Sequence, residues 1–247
     1  VLQGHRLSRV ITRRTDLRWP LPDGFGQRLT NRQVTAVARR AKFLTIRLDN
    51  DMIWIAHLGM SGRFRIFEGD LPPEEPHDHV IVETDGGVTI RYNDPRRFGF
   101  MDLTAGADLD AYPMLASMGP EPLGPGFTTA VLAERLKGRA APIKAALLDQ
   151  RTVAGLGNIY VCEVLHQAGI SPNRKARTVQ GGRAVKLHTA IVDVLARAIE
   201  AGGSSLRDHR QPDGELGYFQ HNFLVYGRAG ADCRRCGPGY PIRQIVQ

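Results

Sequence analysis

Cysteine is scarce in this sequence, with three in 247 residues. Three thiols do not staple a chain of this length, and an odd count argues for a reducing compartment over a disulfide scaffold. Long apolar runs are missing too. The longest, Met52 to Ala56, falls far short of the ~20 residues that a membrane-spanning helix needs. Acidic side chains are in deficit, 25 Asp+Glu against 33 Lys+Arg, which leaves a net charge of +8 and a pI near 9.8. The chain opens on Val1 and not on Met, so the lack of a targeting signal excludes little. What is present is 42% hydrophobic and 23% charged, enough for a packed core and unlike disordered or low-complexity chains. The expectation is a soluble, basic, cytoplasmic protein with one large domain or two small ones, and no membrane partner.

The charge is segregated along the chain. Residues 1–66 hold 13 basic and 4 acidic side chains, a net of +9. Residues 67–127 hold 3 basic and 12 acidic, a net of −9, and residues 128–247 hold 17 and 9, a net of +8. Solubility needs no such division. Two basic blocks around an acidic one suggest a basic face built from both halves, and a polyanion as its partner, because cations placed on phosphates release counterions. A generally cationic surface beside an acidic middle is the plainer alternative.

The first half alternates with the period of strands. Arg6 to Arg13, Val34 to Ala38, Phe43 to Leu48 and Met52 to His57 read as strands, the last two joined as a hairpin by Asp49-Asn50-Asp51. Phe64 to Phe67 follows a bend at Gly59 and Gly62. His79 to Thr84 and Val88 to Tyr92 flank Asp85-Gly86-Gly87, a second hairpin signal. Many short strands with regular turns predict an antiparallel sandwich or barrel. Beyond the breaker-rich stretch Gly119 to Gly126 the period becomes helical. Thr128 or Thr129 caps a helix carrying Val131, Leu132 and Leu136, and Ile143, Leu147 and Leu148 mark a second. Ile159 to Ala168 is a third, and Arg183 to Glu200, with Leu187, Ile191, Val194, Leu195 and Ala198 at core spacing, is a fourth ending at Gly202-Gly203. The reading is an α+β chain of two domains with a cleft between them. An N-terminal antiparallel sandwich or barrel covers 1–118, a helical domain 119–222, and a cysteine-bearing tail 223–247.

Several segments carry chemistry. Cys233-Arg234-Arg235-Cys236-Gly237 has zinc-knuckle spacing, but a structural Zn²⁺ takes four ligands, and Cys162 reads as a core thiol on a helix. A redox CxxC is disfavoured without a thioredoxin-like βαβ unit. Gly155-Leu156-Gly157-Asn158 opens a helix, where backbone N–H groups suit a phosphate, although an ordinary interhelical turn fits as well. His77-Asp78-His79 hints at metal, but on a strand both imidazoles share one side with no third ligand near in sequence. A polar strand start or a phosphate contact is the better reading. Asn93 to Phe100 mixes Arg96, Arg97 and Phe98 on a Pro/Gly turn, and His57 to Gly62 offers a second apolar tip, Met60. Such mixtures pry open duplex DNA, and core packing is the alternative. Lys42 follows Arg39 and Arg40 at a strand start, and Arg139 and Lys144 stand in the helical half. Spacing alone leaves each of these cations open between site and solvated surface.

In order, these segments resemble the formamidopyrimidine-DNA glycosylase family, bacterial enzymes that remove oxidised purines. The match runs through Arg39-Arg40-Ala41-Lys42, His57 to Gly62, His77-Asp78-His79-Val80, Asp94 to Gly99, Gly119 to Leu123 and Gly155 to Tyr160. It continues through Asp213-Gly214, Gly217-Tyr218-Phe219, Val225 to Arg228 and the CxxC, so it covers essentially the whole chain. The resemblance implies a β-sandwich, then a helix–two-turn–helix domain and a zinc finger, with damaged duplex DNA across the cleft and a monomer acting near the bacterial nucleoid. It makes Lys42 an active-site lysine assigned to β-elimination, and His77, Arg96, Arg139, Lys144 and Asn158 DNA contacts or near neighbours of the site. Met60, Arg96 and Phe98 become the residues that fill the gap left by an extruded nucleotide. Ser204 to Phe219, including Ser205 and Tyr218, becomes the loop over the damaged base. Cys233 and Cys236 become half of a zinc site.

The departures lie at the ends. The family starts with a proline whose amine is the nucleophile, then a glutamate, and neither precedes Val1. The second cysteine pair and the finger arginine are not found before Gln247. With every internal motif kept, a shortened sequence is expected over evolved loss. The reading is a base-excision-repair glycosylase with AP-lyase activity. Its alternatives are a non-catalytic damaged-DNA binder and an endonuclease VIII-like glycosylase for oxidised pyrimidines.

Overall fold

The computed structural model of the chain describes residues 1–204 and 218–245. These form two compact units, 1–116 and the remainder from Ser117 onward. Among the described residues, no helix is long and apolar enough to cross a membrane.

The first unit contains β1 (Leu7–Thr12), α1 (Phe25–Leu29), β2 (Val34–Arg40), β3 (Phe43–Leu48), β4 (Met52–His57), β5 (Arg63–Glu68), β6 (Asp78–Thr84), β7 (Val88–Asn93), β8 (Phe100–Ala105) and the single turn α2 (Pro113–Ala116). One sheet has the order β1-β6-β7-β5 and the other β2-β3-β4-β8, with every neighbour antiparallel. The expected sandwich is what forms. Both expected hairpins close, with Ile46 opposite Trp54 across Asp49-Asn50-Asp51 and Val82 opposite Ile90 across Asp85-Gly86-Gly87. The inner faces share one core, in which Leu7, Val80, Val82 and Tyr92 from one sheet meet Ile46, Leu48, Trp54 and Met101 from the other. Burying side chains of this size supplies about 1.5–3 kcal/mol each, which is what fixes the register.

Two differences from the sequence reading stand out. β8, α1 and α2 were not expected: β8 follows a turn directly, and the helices are too short to show a period. His77 is exposed and precedes β6, whereas His79 is buried on it, although their rings stand 6.2 Å apart.

The second unit holds α3 (Thr129–Leu136), α4 (Ile143–Leu148), α5 (Asn158–Ala168), α6 (Gly182–Glu200) and the short pair β9 (Asp232–Cys233) and β10 (Gly237–Pro241). Of the two cap candidates Thr128 is the one used, its Oγ1 accepting from the Val131 N–H at 3.2 Å. Between α4 and α5 the chain makes two successive turns. Gln150 holds the second of them, accepting from the Gly155 N–H at 2.8 Å and donating to the Leu156 carbonyl at 2.9 Å. Leu187, Ile191, Val194 and Ala198 of α6 are buried against Val161, Val164 and Leu165 of α5 in a second core. α6 stops where the Gly203 N–H returns to the Ala198 carbonyl at 2.7 Å.

Candidate functional site

Two turns of the first unit bring Met60, Arg96 and Phe98 into one neighbourhood. Met60 is 68% exposed and Phe98 41%, neither being core. The Arg96 guanidinium lies 4.5 Å from the Phe98 ring centroid, a cation–π contact that joins charge to the apolar tip. The turns abut because Gly59 lacks a side chain. It has φ 66°, and a Cβ there would collide with the Phe98 carbonyl.

Beneath both turns sits Asp94, with no exposed surface. Its carboxylate accepts from Ser61 Oγ at 2.6 Å, the Tyr92 hydroxyl at 3.0 Å and the Gly99 N–H at 2.9 Å. Gly99 is packed so closely that a Cβ would strike the Tyr92 hydroxyl. Burial, with the charge and hydrogen bond of Asp94 behind it, raises the Tyr92 pKa, so the phenol stays a donor.

His77 is held from behind by a buried polar clamp. Asp78 accepts from Asn93 Nδ2 and from the Glu75 N–H, each at 2.9 Å. Arg91 donates to the carbonyls of Pro72 and Pro73 at 2.9 and 3.1 Å. The loop before β6 is thereby fixed while the imidazole of His77 stays exposed.

Lys42 lies in the turn between β2 and β3, after Ala41 at φ 53°. It keeps an exposed face, yet the surrounding protein desolvates the ammonium and lowers its pKa. His57 is lowered as well, first by burial and then by the charges of Lys42 and Arg18. The His57 ring stacks on Phe100 at 5.5 Å, and its Nδ1 accepts from the Gly59 N–H at 3.0 Å. That acceptor role puts the ring proton on Nε2.

In the second unit, Lys144, Asn158, Cys162, His166, Arg235 and Arg243 line a groove of about 800 Å³. Asn158 is exposed at the start of α5, and Cys162 is half-buried, not a core thiol. Burial is the main cause of the raised Cys162 pKa, with the charge of nearby Lys144 opposing it. Arg139 is half-buried and paired with Asp149 at 2.9 Å, which Arg151 also binds at 2.9 Å. Those bonds, the Arg151 one first, hold the Asp149 carboxyl well below the usual range.

Ser204 Oγ lies 3.3 Å from the Tyr160 hydroxyl and its backbone bridges Tyr218, which is exposed. Phe219 is buried against Tyr160 and Phe223, so it anchors the base of its segment. Ser205 and the rest of the expected lesion loop to Gly217 lie outside the described residues. Cys233 and Cys236 flank the β9–β10 turn. A hydrogen bond from His166 and the N–H groups of Cys236 and Arg235 bring the Cys233 thiol down to about 6. That environment favours a thiolate and so suits zinc. Among the described residues, however, no group of three His, Cys, Asp or Glu side chains forms a metal site.

Sequence reasoning gave no role to Asp94, Ser61, His57 or Glu163. Glu163 is buried on α5 and accepts from the N–H groups of Leu224, Val225 and Tyr226 at 2.8, 3.0 and 2.8 Å. The available signal was an acidic residue inside an apolar helical run.

Comparison with known proteins bears on the whole chain. Residues 1–101 match the Formamidopyrimidine-DNA glycosylase N-terminal domain and residues 118–210 the Formamidopyrimidine-DNA glycosylase H2TH domain. The chain is 56% identical to the formamidopyrimidine-DNA glycosylase of Rhodospirillum centenum over 245 residues, covering 95% of this chain and 84% of that protein. It is 52% identical to that of Dinoroseobacter shibae, covering 100% and 90%. Among solved structures, MutM (Fpg) of Thermus thermophilus is similar at 39% identity and a TM-score of 0.88, covering 100% and 88%. Lactococcus lactis Fpg complexed with abasic-site DNA is similar at 32% identity and a TM-score of 0.89, covering 100% and 89%. The chain belongs to the formamidopyrimidine-DNA glycosylase family.

Proposed function

We propose that this protein is a base-excision-repair DNA glycosylase with AP-lyase activity that removes oxidised purines, 8-oxoguanine and formamidopyrimidines, from duplex DNA. The observation that carries the reading is the exposed set Met60, Arg96 and Phe98 on a rigid base in a chain of this family. An extruded base leaves a gap in the stack, and an apolar and cationic wedge fills it while offsetting the cost of unstacking.

The chemistry divides between an amine and the groups that position DNA. A secondary amine attacks the sugar carbon bearing the damaged base, the base leaves with a proton, the C1′–O4′ bond opens as O4′ takes up a proton, and the resulting iminium (Schiff base) acidifies the adjacent C–H. β-Elimination then expels the 3′ phosphate. The family draws that amine from a terminal proline, which has no counterpart in residues 1–247. Lys42, with its pKa lowered by burial, exchanges protons during elimination more readily than an ordinary lysine. His77, Arg96, Arg139 and Asn158 contact the DNA with Lys144 close to the site, and the segment from Ser204 through Ser205 to Tyr218 and Phe219 covers the damaged base. The protein acts as a monomer on nucleoid DNA in the cytoplasm. Cys233 and Cys236 supply two thiolates to one structural Zn²⁺, which when bound stiffens the finger and takes no part in bond breaking. The working domains are 1–118, 119–222 and 223–247.

Borohydride trapping tests this. The intact protein from its genomic start is incubated with duplex containing 8-oxoguanine opposite cytosine. A covalent protein–DNA adduct supports the lyase, and damage-selective binding without an adduct shows a non-catalytic binder.

A further inference from the structure

We propose that Asp94 is a positioning residue for damage recognition, a buried side chain whose carboxylate locks the two wedge-bearing turns into one geometry without itself meeting DNA. The proposal rests on the reading of Met60, Arg96 and Phe98 as the wedge.

Three motifs far apart in sequence converge on this one side chain and its peptide groups. The carboxylate receives the hydroxyl of Ser61, from the turn that carries Met60, and the N–H of Gly99, from the turn that carries Arg96 and Phe98. Ser61 Oγ accepts in turn from the Arg96 N–H at 3.3 Å, so the two turns are linked directly as well. The Asp94 N–H donates to the His77 carbonyl at 3.1 Å, and the Asp94 carbonyl accepts from His79 Nε2 at 2.9 Å. That carbonyl also accepts from the Arg97 N–H at 3.2 Å, holding a non-glycine residue at φ 54° in the left-handed region. Asp94, Ser61, Tyr92 and His79 are all at least nine-tenths buried.

A buried carboxylate is costly unless its acceptors are filled, and here donors from separate segments fill them. The arrangement therefore exists only when both turns are in place together. For a wedge this matters. Loose tips would lose conformational freedom on entering the duplex, whereas tips fixed beforehand do not, so preorganisation appears as preference for damaged DNA.

The test compares affinity for a duplex bearing a tetrahydrofuran abasic site with affinity for the same undamaged duplex at one salt concentration. Fluorescence of 2-aminopurine opposite the abasic site reports insertion. The variants are D94N, S61A, M60A/F98A and D94N in the M60A/F98A background. Asn keeps the shape of Asp but turns an amide donor toward the Gly99 N–H or the Ser61 hydroxyl. D94N is expected to lower the abasic preference about tenfold and S61A about threefold, as for loss of buried bonds to a charged group, with undamaged binding nearly unchanged. Because Asp94 acts through the tips, D94N adds little once Met60 and Phe98 are gone. A folded D94N that keeps its preference, or a loss fully additive with M60A/F98A, overturns the proposal. If D94N does not fold, S61A decides, and an unchanged preference in S61A overturns it. An unchanged preference in M60A/F98A overturns the wedge reading and this proposal with it. Impaired M60A/F98A beside unaffected D94N and S61A overturns the proposal alone.

Discussion

At the residue scale, protonation decides what the side chains can do. Burial lowers the Lys42 pKa, which increases its free-amine fraction near neutrality. Replacing Lys42 with Ala is expected to slow strand cleavage at an abasic site about a hundredfold, the usual size of a lost acid–base group, with affinity for the same duplex little changed. Single-turnover cleavage and binding assays separate the two. His57 carries a stability signature. Its folded pKa lies below the ordinary 6.5, so the folded state prefers the neutral ring. This contribution is present above 6.5 and lost as pH falls through the folded value. His57→Asn keeps an acceptor for the Gly59 N–H and removes the titration. The variant should lose less thermal stability than the parent between about pH 7.5 and pH 5. Equal losses would show that His57 does not contribute.

At the element scale, the second unit depends on a bond that no periodicity reveals. Glu163 joins α5 to the 224–226 segment through three backbone N–H groups. Glu163→Gln replaces one acceptor oxygen with a donor and should cost about 2–3 kcal/mol, measured by denaturant unfolding. The hairpins β3–β4 and β6–β7 were legible because alternation and turn chemistry are local. The four C-terminal helices were legible from their apolar spacing, with Thr128 marking the start of the first and Gly202-Gly203 the end of the last. β8 was hidden because Phe100 also belongs to the preceding turn motif. The tips Met60, Arg96 and Phe98 were visible as residue types on turns, but their exposure was not. Asp94 and Glu163 showed nothing of their roles, since Ser61 is 33 residues from Asp94 and the Glu163 partners are 61 to 63 residues away.

At the scale of the whole molecule, the division into +9, −9 and +8 blocks bears on affinity. Much of the charge in the first unit is already paired, as Arg13 is with Glu74 and Arg97 with Asp16. Only the unpaired remainder releases counterions. With about six phosphate contacts, duplex affinity should fall roughly a thousandfold between 50 and 200 mM salt, read by titration at several ionic strengths. A flat response would contradict the polyanion reading. The central claim is the removal of oxidised purines. Its most direct measurement is base release by the intact protein from two matched duplexes, one with 8-oxoguanine opposite cytosine and one with an oxidised pyrimidine. Preferential release of free 8-oxoguanine is the expected result. Preferential release of the pyrimidine, or release of neither base, would contradict it.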